Sequence, residues 1–274
     1  MEYRETLKTL CVMPIYKLVL HEETIDELTN YLKKVMKASN YFTNPIIVDR
    51  TSHIVLDGVH RVKALAELGY KNIVCQLVDY DSPEIKVKAW YPVLRCINVT
   101  DLLELVVTKK TEFKKGIADV QRSKAAFMLA YEHGGKRECF LVEPAAKPMK
   151  PAELFAAQRH ALEKFSRRHV IRYIPDELHE RFLQSSSAVV LYRKCHTKEE
   201  IVALAKNGIV LPPKSTRHII PMRVLGLDIP ISWLNLTESE AQEKLNLEIH
   251  KRSEAGAVRY YPESVLVLND YKFE

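Results

Sequence analysis

The stretch Ile54-Val55-Leu56-Asp57-Gly58-Val59-His60-Arg61 constrains this chain more than any other. Three apolar, β-prone residues end in a carboxylate, and a glycine follows. Apolar residues then recur at Val62, Leu65 and Leu68 with helical spacing. Such a chain must leave a strand, turn closely at Gly58 and start a helix at once. The first turn of that helix offers N–H groups outside its own ladder, together with the positive end of its dipole. Phosphate is a common occupant of such a place. His60 and Arg61 add side-chain donors there, arginine with a planar, two-pronged geometry. The plainer reading makes Asp57 a simple helix cap above two solvated basic residues. The acidic loop His21-Glu22-Glu23 upstream favours the anion site over that reading.

Around this segment, strands and helices alternate over the first ~95 residues. Met13 to Leu20 suits a strand. Thr24 opens a helix with Glu27 at capping-box spacing, and Ile25, Leu28, Leu32, Val35 and Met36 form its apolar face as far as Ser39-Asn40. Pro45 to Val48 and His53 to Leu56 read as strands, Gly69 stops the helix that follows Asp57-Gly58, and Asn72 to Val78 is a third strand. Pro83 fits a first helical turn, with the helix running to Trp90.

The remainder is less regular. Asp101 to Val107 suits a helix and Lys109 to Lys115 a solvated basic stretch, while Ala125 to Glu132 and Arg137 to Glu143 flank His133-Gly134-Gly135 as a hairpin. A long helix over Ala152 to Arg168 ends in Arg167-Arg168-His169, a basic end that the helix dipole favours. Val170 to Ile174 and Ala188 to Tyr192 read as strands around a helix from Asp176 to Leu183. A helix over Lys198 to Lys206 stops at Gly208, and the loop Pro212 to His218 precedes strand-like Ile219 to Val224. Glu238 to Lys251 is helical, and Ala257 to Leu268 closes with one or two strands. The expected organisation is a phosphate-handling α/β domain over residues 1–95 and an α+β domain over residues 96–274.

At 274 residues, with 47% apolar and 28% charged residues, the chain can bury a real core. The formal net charge of +6 suits anionic small molecules and argues against nucleic acid as the partner. Cys11, Cys75, Cys96, Cys139 and Cys195 form no CxxC pair and read as reduced thiols of a cytoplasmic protein. No apolar run approaches the ~18 residues of a membrane span. There is no G-x-x-x-x-G-K-[ST] loop and no kinase-type glycine loop. His160 and His250 lack a partner at metal-ligand spacing.

Asp57-Gly58-Val59-His60-Arg61 resembles the D-G-x-H-R element of ParB/sulfiredoxin-like domains, and residues ~10–95 follow that domain's order of elements. With His21-Glu22 before the first helix, Trp90 at the end of the domain, and Leu211-Pro212-Pro213-Lys214-Ser215-Thr216-Arg217-His218 downstream, the chain resembles the free L-serine kinases. Those enzymes make O-phospho-L-serine, a precursor for cysteine synthesis, from ADP or ATP. A sulfiredoxin needs a cysteine where this chain has Val59, and a ParB partition protein carries Glu-Arg-Arg after its glycine where Val-His-Arg stands here.

The resemblance implies an active site in a cleft between the two domains, with Glu22 as the general base for the serine hydroxyl and Glu23 as the neighbouring candidate. A base of this kind orients the nucleophile, while most of the catalysis of phosphoryl transfer comes from positioning and charge neutralisation. Asp57 falls at the reacting centre, either orienting the hydroxyl or holding Mg²⁺. Gly58, Val59, His60 and Arg61 hold the transferred phosphoryl group. Trp90 walls the serine pocket, and Thr216 and His218 take the serine carboxylate, with Arg217 adding charge. ADP and ATP both stay open as donors. The rival readings are a ParB-like nucleotide-dependent DNA-binding regulator and a nuclease of the same superfamily, and the modest net charge counts against both.

Overall fold

The structure, a computed structural model, describes residues 2–95, 98–184, 188–261 and 265–268. It is a mixed α/β protein whose chain forms two compact units, one of residues 1–86 with 218–274 and the other of residues 87–217. The linear division expected at residue 95 thus differs from the grouping by packing, because the last fifth of the chain returns to the N-terminal unit.

The first unit is built on a four-stranded sheet in the order Leu10–Pro14, Asn72–Val78, Ile46–Asp49, Val55–Asp57. Asn72–Val78 pairs antiparallel with Leu10–Pro14 and parallel with Ile46–Asp49, and Ile46–Asp49 pairs antiparallel with Val55–Asp57. All four residues of Ile46–Asp49 are buried, as expected of a central strand covered on both faces. The helices Asp26–Ser39 and Val59–Glu67 pack with this sheet through Met36, Val62 and Leu65. Val224, Leu227, Ile231 and Leu245 from the C-terminal segment enter the same core.

Polar ties fix that return. The buried Gln76 side chain donates to the Met222 carbonyl at 2.9 Å and accepts from the Val224 N–H at 2.9 Å. The Gln242 side chain accepts from the Val12 N–H at 2.7 Å. A buried amide left without such partners would cost about 1–3 kcal/mol, so these bonds set the register of the returning segment as well as holding it.

The second unit carries a six-stranded antiparallel sheet in the order Ile171–Pro175, Trp90–Arg95, Ala188–Tyr192, Phe127–His133, Lys136–Val142, Thr108–Lys110. The helix Pro151–Ser166 buries Leu154, Phe155, Ala161, Leu162 and Phe165. The expected hairpin is present, with Gly134 and Gly135 both at positive φ (58° and 72°), as a two-residue turn between twisted strands demands. Arg193 is fully buried here. It is tolerated because its guanidinium donates to Gln158 Oε1 (2.9 Å), Ser215 Oγ (2.6 Å) and the carbonyls of Pro213 and Lys214.

Several expected elements are corrected. The strand expected over Met13 to Leu20 is Leu10–Pro14, followed by a tight helical turn over Ile15–Lys17. The helix expected from Thr24 begins at Asp26, after an N-terminal helix over Glu2–Leu7, with Ile25 at its cap and no side-chain cap bond, so Thr24 and Glu27 form no capping box. No helix spans Pro83 to Trp90. Lys86–Lys88 and Trp90–Arg95 are strands, because Ile85, Val87 and Ala89 alternate with Lys86 and Lys88 at the strand period of two. The basic stretch from Lys109 is split between the strand Thr108–Lys110 and the start of the helix Phe113–Gln121. Ile219 to Val224 is interrupted, with short strands at Arg217–Ile219 and Arg223–Leu225. Cys11, Cys75, Cys139 and Cys195 are free thiols, and Cys96 lies outside the described residues. Among the described residues, no helix is long and apolar enough to cross a membrane.

Candidate active site

The site grows from the turn at Gly58. Its φ of +102° is left-handed, and a Cβ there would stand 2.5 Å from Ile46 Cγ2 and 2.9 Å from Arg61 Nη2. Only glycine lets the strand Val55–Asp57 pass this closely into the helix Val59–Glu67. Gly58 supplies no side-chain cap, and the Val62 N–H is the first to bond back, to the Gly58 carbonyl at 3.0 Å. The N–H groups of Val59, His60 and Arg61 precede that first rung of the ladder.

The acidic loop runs beside this turn and is anchored on both sides of Glu22. Val19 bridges Ile54, and the Val55 N–H donates to the Val19 carbonyl at 2.9 Å. On the far side, the Ile25 N–H donates to His60 Nε2 at 3.0 Å. Residues 19–25 are thereby tied at both ends to residues 54–60, and Glu22, between the two ties, is only 5% exposed. His21 is buried and hydrogen bonds to the backbone of Val55. Burial holds its pKa below the ordinary value, against the opposing pull of Glu22 and of the Val55 bond.

His218 joins this group. Its ring lies edge-on to His21 at 5.4 Å, and its Nε2 shares a 2.8 Å hydrogen bond with the Tyr80 hydroxyl. The Tyr80 N–H in turn donates to Asp49 at 3.1 Å. Burial raises the Asp49 pKa, but the Ser52 hydroxyl and amide and the Tyr80 amide outweigh it, and the carboxyl sits below its usual range. A chain of fixed contacts therefore runs from Asp49 through Tyr80 and His218 to His21.

Asp57 is held by two arginines. Its Oδ2 accepts from Arg61 Nη2 at 2.9 Å and from Arg223 Nη2 in a short contact. Arg61 also donates to the carbonyls of Asn44 (2.6 Å) and Pro45 (2.8 Å), so its guanidinium clamps the turn. Burial lowers its pKa, Asp57 raises it, and Arg223 lowers it again. Arg223 Nε is buried without a hydrogen-bond partner among the described residues. Two guanidiniums on one carboxylate leave a net positive charge, and that donor remains for an anion. Reading the sequence alone missed Arg223, whose strand is interrupted and whose partner lies 166 residues away. Tyr80 and the anchoring role of His21 were missed as well.

Both guanidiniums draw on the Oδ2 of Asp57, the residue expected at the reacting centre. Among the described residues no group of three or more His, Cys, Asp or Glu side chains forms a metal site.

Trp90, Thr216 and Arg217 belong to the second unit. Thr216 is buried. Arg217 donates twice to Glu177 (2.8 and 3.0 Å) and, with Lys214, lies over the Trp90 ring at 5.6–5.7 Å. Its charge is therefore matched within its own unit.

No protein-family model matches the chain. The chain is similar to the ATP-dependent L-serine kinase of Staphylothermus marinus, with 28% identity over 218 residues, covering 77% of this chain and 85% of that protein. It is also similar to the ADP-dependent L-serine kinase of Thermococcus kodakarensis, with 27% identity over 230 residues, covering 80% and 90%. A solved free serine kinase, a glutamate-to-glutamine variant in complex with AMP, matches with a TM-score of 0.69 at 23% identity, over 82% of this chain and 94% of that one. The chain has the fold of that structure.

Proposed function

We propose that the protein is a free L-serine kinase, which transfers a phosphoryl group from ADP or ATP to the serine hydroxyl and yields O-phospho-L-serine. The observation that supports this reading is the double anchoring of the 19–25 loop, with the buried Glu22 between its two ties, to the strand and helix that flank Gly58. A base and an anion site side by side are what an alcohol acceptor and a phosphoryl donor require.

In this reading Glu22 takes the hydroxyl proton as the serine oxygen forms its bond to the terminal phosphorus. The bond from that phosphorus to the bridging oxygen breaks, and AMP leaves from ADP, or ADP from ATP. The backbone of Gly58 and Val59 and the Arg223 Nε–H receive the phosphoryl oxygens. Asp57, Arg61 and His60 act as positioning residues, the first two fixing Arg223 and the turn, the last tying the Glu22 loop to the helix. Thr216 and His218 serve the serine carboxylate, and Trp90 walls the amino acid, with Arg217 held back by Glu177. The similarity to both an ATP-dependent and an ADP-dependent enzyme supports either donor.

The test is incubation of the purified protein with L-serine, Mg²⁺ and either ADP or ATP, followed by mass spectrometry. Phosphoserine formed from one donor establishes the activity and names that donor. Absence of product from both, with nucleotide binding intact, overturns the proposal.

A further inference from the structure

A cavity of about 700 Å³ lies within the second unit, and none of the residues assigned above lines it. Four separate elements deliver an arginine to it. Arg95 ends the strand Trp90–Arg95, and Arg172 lies on the neighbouring strand Ile171–Pro175, where it pairs with Val93. Residues two apart on a strand share a face, so Val93 and Arg95 point the same way, and Arg172, directly opposite Val93, shares that face. Arg168 follows the end of the helix Pro151–Ser166, and Arg181 comes from the short helix His179–Leu183.

Among the described residues, the charges in this cavity are not answered. No lining residue is acidic. The acids closest in sequence are engaged elsewhere, Glu177 with Arg217 and Glu180 with Arg137. Among the described residues, Arg95, Arg168, Arg172 and Arg181 form no ion pair, and His169 Nε2, at the same cavity, is buried with no hydrogen-bond partner. Like charges gathered without a counter-charge repel and lower stability, which makes the cluster costly unless something negative occupies it. The walls between the arginines are apolar. Val170 is 76% exposed, Leu178 is exposed, and Phe182 and Ala188 complete the surface.

We propose that this cavity is a second ligand site, for a small organic phosphate that carries an apolar or aromatic body. A phosphate monoester brings about −1.5 to −2 charges and three acceptor oxygens, matched to forked guanidinium donors. The volume lies in the range of small-molecule sites, and the exposed Val170 and Leu178 with the half-buried Phe182 receive the apolar part. Arg167-Arg168-His169 thereby has a use beyond ending a helix. The inference stands apart from the kinase reading, because the cavity shares no residue with the machinery assigned to phosphoryl transfer.

The test is isothermal titration of the full chain with 1-naphthyl phosphate, inorganic phosphate and a short DNA duplex. Naphthyl phosphate is expected to bind one per chain and at least about tenfold more tightly than inorganic phosphate. Arg172→Gln and Arg181→Gln should each weaken it by about tenfold, the loss of one charge-assisted pair. Glu22→Gln and Arg223→Gln should leave the affinity unchanged. Val170→Glu, at an exposed position that folding tolerates, should abolish binding by setting a carboxylate in the site. No binding of naphthyl phosphate, or binding indifferent to Arg172, Arg181 and Val170, overturns the proposal. So does binding of the duplex alone with steep salt dependence, which would assign the arginines to nucleic acid.

Discussion

In the first unit, Arg61 and Arg223 close on Asp57, and Arg61 gives its other donors to two backbone carbonyls; in the second, four arginines face a cavity with no acid in its walls. The same side chain thus does two kinds of work. Where guanidiniums meet a carboxylate and carbonyls, they hold a turn whose geometry a reaction needs. Where they meet only one another, they are arranged to receive charge from outside. The count of basic residues in a sequence does not distinguish these uses, but the positions of the carboxylates around them do.

The comparison is tested most severely at Glu22. Glu22→Gln keeps the shape of the loop and removes the base, so kcat should fall by about 10²–10⁴ while KM for nucleotide changes little. Steady-state phosphoserine formation measures both, and a variant with near-normal kcat would take the base away from Glu22. Next comes the contrast within the arginine pair. Arg61→Ala leaves Asp57 with Arg223 alone and strands two carbonyls at a side chain only 17% exposed, and should destabilise the fold by about 3 kcal/mol in urea unfolding. Arg223→Ala, at a more open position, should leave the unfolding midpoint nearly unchanged and lower kcat/KM by about 10–100-fold. If the two variants behaved alike, the division between clamp and phosphate donor would fail.

Acid gives a third handle, on the second unit. His196 is held by burial at a pKa of about 4, with Glu200 pulling it up and Lys194 and Arg193 pulling it down. Unfolded, it binds its proton near pH 6.5, so the unfolded state holds more protons throughout that window. Stability should therefore decline as pH falls from about 6.5 to 4, by on the order of 3 kcal/mol at the lower end. His196→Gln should flatten that part of a urea-midpoint profile. The smallest effect is expected at the cavity. Arg172→Gln, which relieves repulsion and breaks no pair, should shift the melting temperature only slightly, and upward. A clear loss of stability would mean that these arginines have partners and would erase the contrast with Asp57.

Much of this was legible in the sequence where local signals carry the information. The passage from Val55 through Gly58 to Gly69 combines β-prone residues, an obligatory glycine and a helical period, and the structure follows it closely. The hairpin at Gly134-Gly135 and the helix Lys198–Lys206 were equally plain. Lys86 to Trp90 was misread because Pro83 suggested a helix start and outweighed the alternation of Lys86, Val87, Lys88 and Ala89. The Asp57–Arg223 pair and the convergence of Arg95, Arg168, Arg172 and Arg181 had no local signal at all. They depend on which strands lie side by side, and charged residues on separate elements carry no periodicity that reveals it.

The first unit is made from both ends of the chain, with residues 87–217 lying between them in sequence. Chains emerge from the ribosome N-terminus first, at about 5–20 residues per second, and domains tend to fold as they emerge. The sheet that carries Asp57 is complete in sequence by Val78, yet Met222 and Val224, which pair with Gln76, and Arg223, which pairs with Asp57, arrive more than 140 residues later. At that pace the nascent N-terminal segment waits roughly 7–30 seconds with Gln76 and Asp57 lacking these partners. The site is thus among the last parts of the molecule to mature, and a chain released before its closing segment would display the motif without the architecture that makes it work.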